Sequence, residues 1–469
     1  MFSRPRSNPF SPAAIVLSAC LMVSSASFLT GCKAATDTTT TKVDTTVTGL
    51  KKINHVIVVY MENHSFDNLY GEYPGANGIA NATAGEEIQI DTATKQPYTN
   101  LPAPPGDVTT KLFPSPINGN GPFNIDQYAM ENVKTVDLVH RYYQEQQQID
   151  GGKMDKFAVY SDAKGLSMGY YHTATLPMYP IVQQYTLCDN LFHSAFGGSF
   201  LNHIYMIACN APTFPNSPAG ITAKGINADG SITDGAVSPD GYGINTLQTV
   251  NTPHRASPAA NLCPQQTMTT IGDRMDAAGV SWAWYSGGWN KMLAGAGDTS
   301  LFQFHHQPFN YFAKYGADTS SLKKLRLKDE TDFIAGLTSG NLPAVSFLKP
   351  FGADNEHPGY ADLLTGEQYL VNLIGQIKAS AIWKDCVVII TYDEHGGFWD
   401  HVPPPIIDKW GPGIRVPGIV ISPFAKTGYV DHTLYETVSI LSLIEHRWGL
   451  TPLGSRDANA NYFQNALQF

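Results

Sequence analysis

The chain has 469 residues, 43% of them hydrophobic, with 42 glycines and 31 prolines, so it can bury a large core and carries many loops. Thirty basic residues against forty acidic give a formal net charge of −10. No Lys/Arg cluster is interleaved with aromatics that could follow a phosphate backbone, which excludes nucleic acid as a partner.

In chain order, residues 1–31 read as a lipoprotein-type signal peptide: Arg4 and Arg6 precede an apolar run from Ala13 to Val23, and Leu29-Thr30-Gly31 lead into Cys32. Cys32 would then carry lipid, and the Thr-rich stretch 32–49 would be a tether too polar to pack. The protein is expected to be exported and held in the cell envelope, or secreted. The catalytic domain is expected over 50–469. Within it, "HVIVVYME" (55–62), "SWAWYS" (281–286), "PAVSFLK" (343–349), "CVVIITYDE" (386–394) and "VPGIVISPFA" (416–425) read as strands. Leu370, Leu373, Ile374 and Ile377 make one helical stripe; Ile440, Leu441, Ile444 and Trp448 make another that stops at Gly449. Apolar strands alternating with amphipathic helices predict an α/β fold with a mostly parallel sheet. The Gly/Pro/Asn-rich segment 210–262 reads as a loop-rich insertion. Of the six cysteines, Cys188, Cys209, Cys263 and Cys386 lie beyond the leader; an oxidising envelope allows disulfides among them in three connectivities, and no CxxC pair supports a thiolate zinc site.

Ligands of open α/β sheets bind beyond the carboxyl ends of the strands. Two predicted strands end in acids there, Glu62-Asn63 and Asp393-Glu394, the latter before a Gly-Gly turn. Three carboxylates and an amide oxygen at one place would repel without a cation, and their hard oxygens suit one divalent metal ion. Gly197-Gly198 permits a close chain approach before Ser199, whose hydroxyl could sit at a helix start suited to a phosphate; Ser194 is a nearby decoy.

The stretches "YMENHSFDNLYG", "GGKMDKF", "MGYY", "CDNLFHSAFGGSFLNHIY", "SPDGYGINTLQ", "HHQPFNYF", "NEHPGY" and "TYDEHGGFWDHVPPP" together resemble the bacterial phosphoesterase family, which includes phosphatidylcholine-hydrolysing phospholipases C and secreted acid phosphatases. The resemblance runs from about His55 to Leu450. It implies an alkaline-phosphatase-like α/β/α sandwich, one metal and a covalent phospho-enzyme. It further implies that Glu62, Asn63, Ser199, Asp393 and Glu394 hold the metal, with Ser199 the nucleophile. His140, one of His305 or His306, and His357 would surround the phosphate beside Asn63, with His357 and His306 as candidate proton donors. His64, His203, His395 and His401 are expected to support the site by packing. Because "GGSFLNH" replaces the "GPTDPNR"-like sequence of the phospholipase branch, the expected activity is phosphomonoester hydrolysis through a phosphoserine. The alternatives are a phospholipase C acting on phosphatidylcholine-like diesters, with room from the 210–262 loops and Trp282, Trp284 and Trp289, and a non-catalytic binding lipoprotein.

Overall fold

The apolar stretch at His55 becomes the centre of the molecule. A computed structural model describes residues 49–105, 112–316 and 320–469. The expected leader, Cys32 and the tether except Gly49 fall outside them. Eight strands form the central sheet: β1 (His55–Met61), β2 (Thr186–Cys188), β3 (Trp282–Ser286), β4 (Leu327–Asp329), β5 (Val345–Lys349), β6 (Cys386–Tyr392), β7 (Gly418–Ile421) and β8 (Tyr429–Asp431). Their spatial order is β4-β3-β5-β1-β6-β7-β2-β8. Every pairing is parallel except those of β7, which runs antiparallel to both β6 and β2. Every residue of β5 and β6 is buried, so both faces of the sheet are covered, and a continuous Val/Ile run is what such a strand requires.

Five helices matter for the site and its supports: α1 (Phe66–Tyr70), α2 (Tyr142–Ile149), α3 (Ser199–Ala208), α4 (Leu363–Ala379) and α5 (Ser439–Trp448). The stripe Leu370, Leu373, Ile374 and Ile377 is buried along α4, and α5 ends at Gly449 in the left-handed region, as its sequence pattern predicts. Residues 210–262 hold a short hairpin, Gly225–Ile226 against Ile232–Thr233, and bury Val237, Ile244 and Leu247 in the core. Cys188, Cys209, Cys263 and Cys386 are free thiols, so none of the three allowed connectivities forms. No helix among the described residues is long and apolar enough to cross a membrane.

Two buried acids, Glu367 on α4 and Glu356 packed against it, make stability depend on pH. Glu367 accepts the Met178 N–H at 2.6 Å, and burial pushes its carboxyl up to about 8. Glu356 accepts the Tyr392 hydroxyl at 2.6 Å, and burial followed by Glu367 pushes it well above the usual range. A folded-state pKa raised from 4.5 means that Glu367 contributes stability that is full below about pH 4.5 and is lost as pH rises through about 8. The melting temperature should therefore fall between pH 5 and pH 8.5, and Glu367→Gln should flatten that slope; an equal slope in both proteins would refute the assignment.

Candidate active site

Strand order brings three charged residues to one edge. β5, β1 and β6 are neighbours, Met61 pairs with Tyr392 in the last rung, and the Asp393 N–H continues the ladder onto Met61 O at 3.1 Å. The next residues, Glu62 and Asp393, therefore leave adjacent strands side by side, with Lys349 closing β5 next to them. All three side chains are fully buried. Lys349 Nζ lies 2.8 Å from Glu62 Oε1 and 3.6 Å from Asp393 Oδ2. Glu62 Oε2 accepts hydrogen bonds from Asn355 Nδ2 at 2.9 Å and the Tyr360 hydroxyl at 2.7 Å.

Across from this edge, Ser199 opens α3. Gly197 takes φ +88°, and a Cβ there would meet Tyr142 N at 2.6 Å; only glycine allows the loop to pass under α2 and deliver the serine. Ser199 Oγ donates to Glu394 Oε1 at 3.3 Å, and Glu394 Oε2 is fixed by the Gly396 N–H at 2.6 Å. Ser194, five residues earlier, is buried away from the cavity, donating to Glu436 Oε2 at 3.0 Å and accepting the Val438 N–H at 3.1 Å.

A cavity of about 410 Å3 opens over Ser199, with His140, His305, His357, Glu62, Tyr360, Asn245 and Gln303 in its walls. His140 Nε2 lies 3.7 Å from Glu394 Oε1, and its ring meets that of His357 edge-on at 5.6 Å. His357 stacks on Tyr360 at 4.2 Å. Of the adjacent pair, His305 lines the cavity, whereas His306 turns inward with Nε2 2.5 Å from Glu62 Oε1. His203 sits behind the edge, Nδ1 on the Ser199 carbonyl at 2.8 Å, and His64 and His401 are engaged by Asn68 and Asp67. Trp282, Trp284 and Trp289 do not give the extra room expected of them: each is at most 1% exposed in the core. Asn245 and Thr246, from the 210–262 segment, do border the cavity.

The donor set fits a divalent cation. Asn63 is fully buried, and neither atom of its amide finds a hydrogen-bond partner; Asp393 Oδ2 is likewise unpartnered. Orphaned buried oxygens beside Glu62, Ser199 and Glu394 are what a hard cation uses. Burial raises Glu62, but His306 and Lys349 outweigh it and hold its carboxyl well below the usual range. Burial pushes Asp393 well up; Lys349 opposes this while Glu62 and Glu394 reinforce it. Burial dominates for Glu394, which is also pushed well up. Asp393 and Glu394 must lose protons to bind a cation, so affinity should rise with pH and binding should release protons. Calorimetry of chelator-stripped protein in buffers of different ionisation enthalpy reads this directly, and a heat independent of buffer would refute it.

Lys349, Tyr360 and Asn355 were not singled out from the sequence. A lysine at the end of an otherwise apolar buried strand was the available signal for the first; Tyr360 stands in "NEHPGY" 298 residues from Glu62, the acid it bonds, so nothing local marks its role.

Comparison with known proteins gives the chain a family. The model of the Phosphoesterase family matches residues 53–451. Non-hemolytic phospholipase C of Pseudomonas aeruginosa is 23% identical over 86% of this chain, which spans 54% of that protein's length. Phospholipase C A of Mycobacterium tuberculosis is 26% identical over 86% of this chain and 74% of its own. A solved structure from Vibrio parahaemolyticus, of a protein in the alkaline phosphatase superfamily, aligns over 62% of this chain and 67% of its own at 11% identity and a TM-score of 0.33. With the family model spanning the sheet, the Ser199 loop and both acidic strand ends, the chain belongs to the Phosphoesterase family.

Proposed function

We propose that the chain is a hydrolase of phosphate esters that attacks through Ser199, and that its substrates are diesters of the phospholipase C type. The observation that carries the reading is Ser199 Oγ at the start of α3, facing a cavity walled by His140, His305 and His357. Two facts favour a diester with a cationic group over the monoester expected from the "GGSFLNH" sequence. The relatives described above are phospholipases C. Asp137 and Asp162 line the same cavity, and carboxylates there complement a choline-like cation but repel a phosphate dianion.

In this reading Glu62, Asn63, Ser199, Asp393 and Glu394 hold the divalent ion, which when bound supplies positive charge to the attacking oxygen and the phosphate. Glu394, 3.3 Å away, takes the proton from Ser199 Oγ as it attacks phosphorus in line with the leaving oxygen. The backbone N–H groups opening α3 face the phosphate. His357 or His305 gives a proton to the departing alkoxide, and His140 holds a phosphate oxygen. The serine then carries the phosphoryl group with its headgroup ester still attached, and water cleaves the bond between Ser199 Oγ and phosphorus, releasing the headgroup phosphate and freeing the serine. His306 acts on Glu62 rather than on substrate, fixing the carboxylate that faces the ion.

The test compares p-nitrophenyl phosphorylcholine with p-nitrophenyl phosphate, using the full chain and a chelated control. Greater turnover of the choline diester, lost on chelation and restored by divalent metal, is the expected result. Preference for the monoester would return the chain to the acid phosphatase reading, and no turnover of either would leave a binding lipoprotein.

A further inference from the structure

A second cluster lies behind the Ser199 loop, and the chemistry above does not use it. Glu145 on α2, His193 on the approach to that loop and His395 after Glu394 place a carboxylate oxygen and one nitrogen of each imidazole within 4.8 Å of one another. All three side chains are fully buried.

His193 Nδ1 lies 2.8 Å from the Ala195 carbonyl oxygen. A carbonyl only accepts, so Nδ1 carries the ring proton and Nε2 its lone pair. That Nε2 stands 2.9 Å from Glu145 Oε1 without hydrogen-bond alignment. Two atoms with lone pairs at this separation need a cation beside them. A second proton on His193 would answer for that pair alone. It would leave His395 unexplained, because neither ring nitrogen of this buried residue has a hydrogen-bond partner, while Nδ1 lies 3.8 Å from Glu145 Oε1 and 3.7 Å from Glu394 Oε2. A buried imidazole left unsatisfied at both nitrogens is costly.

We propose that Glu145, His193 and His395 form a second metal site that takes a zinc-like transition-metal ion. Two imidazoles with carboxylate oxygens select zinc or a similar ion over calcium or magnesium. The site is closed: a side chain on Gly413 would meet His193 Cε1 at 2.2 Å and Glu145 Oε1 at 2.4 Å. An ion held there would tie α2 to two active-site loops. Glu145 also accepts the N–H of Gly197, and of Ile414 at 2.9 Å, so the ion fixes the loop that presents Ser199.

The test strips the full chain with chelator, loads it with zinc, removes the excess and counts bound zinc by mass spectrometry. The parent should hold one equivalent more than His395→Ala or His193→Ala. Crystals of the zinc-loaded parent should show an anomalous peak between Glu145, His193 and His395, which decides the matter even if both variants fail to fold. Equal zinc content in the parent and a folded variant, or no peak at that position, would overturn the site, whatever is found at Glu62 and Asp393.

Discussion

Ser199→Ala should lower turnover on the preferred ester by about 10^4- to 10^6-fold, the scale on which removal of a nucleophile acts when the rest of a site survives. The fold has no reason to change. Ser199 is only 7% exposed, its hydroxyl is engaged by the acids at the site rather than by the core, and alanine is a good helix former. The control is Ser194→Ala. Ser194 joins Glu436 to the start of α5, so its loss should lower stability by about 1–3 kcal/mol, the cost of leaving buried partners unpaired, while turnover changes only a few-fold. Trapping phosphate on the protein by rapid acid quench completes the test: label should appear on the parent and be absent from Ser199→Ala. A Ser199→Ala protein with more than a tenth of parental turnover would remove Ser199 from the mechanism.

Lys349→Met should destabilise the metal-free protein by about 3–5 kcal/mol, the range for removing one partner of a buried ion pair and leaving the other charge uncompensated. The side chain is fully buried, with Glu62 Oε1 at 2.8 Å and Asp393 Oδ2 at 3.6 Å, and methionine preserves most of its volume. Denaturant unfolding in chelator should show a lower midpoint with an unchanged slope. The loss should shrink at low pH. His306 and Lys349 together hold Glu62 below the usual carboxylate range, and a depressed carboxylate contributes stability above its unfolded pKa that is lost as pH falls through the folded one. A change under about 1 kcal/mol at pH 7 would mean that Glu62 sheds its charge when Lys349 is gone.

The sheet could be read from five apolar stretches because a strand buried on both faces must be apolar throughout, and β1, β3, β5, β6 and β7 all fall within the predicted ranges. β2, β4 and β8 escaped because three residues carry no period. The acids at the ends of β1 and β6 were legible for a topological reason: parallel neighbours end at the same edge. Legibility stopped where a contact depends on a ring's direction. His305 and His306 are adjacent in sequence and chemically identical, yet one lines the cavity and the other faces Glu62, a difference set by their short 3-10 turn. Lys349 was missed because the apolar strand before it reads as complete without it.

The lysine beside Glu62 and Asp393 also bears on the order of assembly. A pocket holding only carboxylates would stay open, or collapse with its acids protonated, until an ion arrived. Here the chain supplies its own counter-charge from β5, so the sheet edge can close in a metal-poor compartment. Folding and loading then become separate events: the sheet edge can form around Lys349 without an ion and leave the acids and the Asn63 amide in place for one that arrives later.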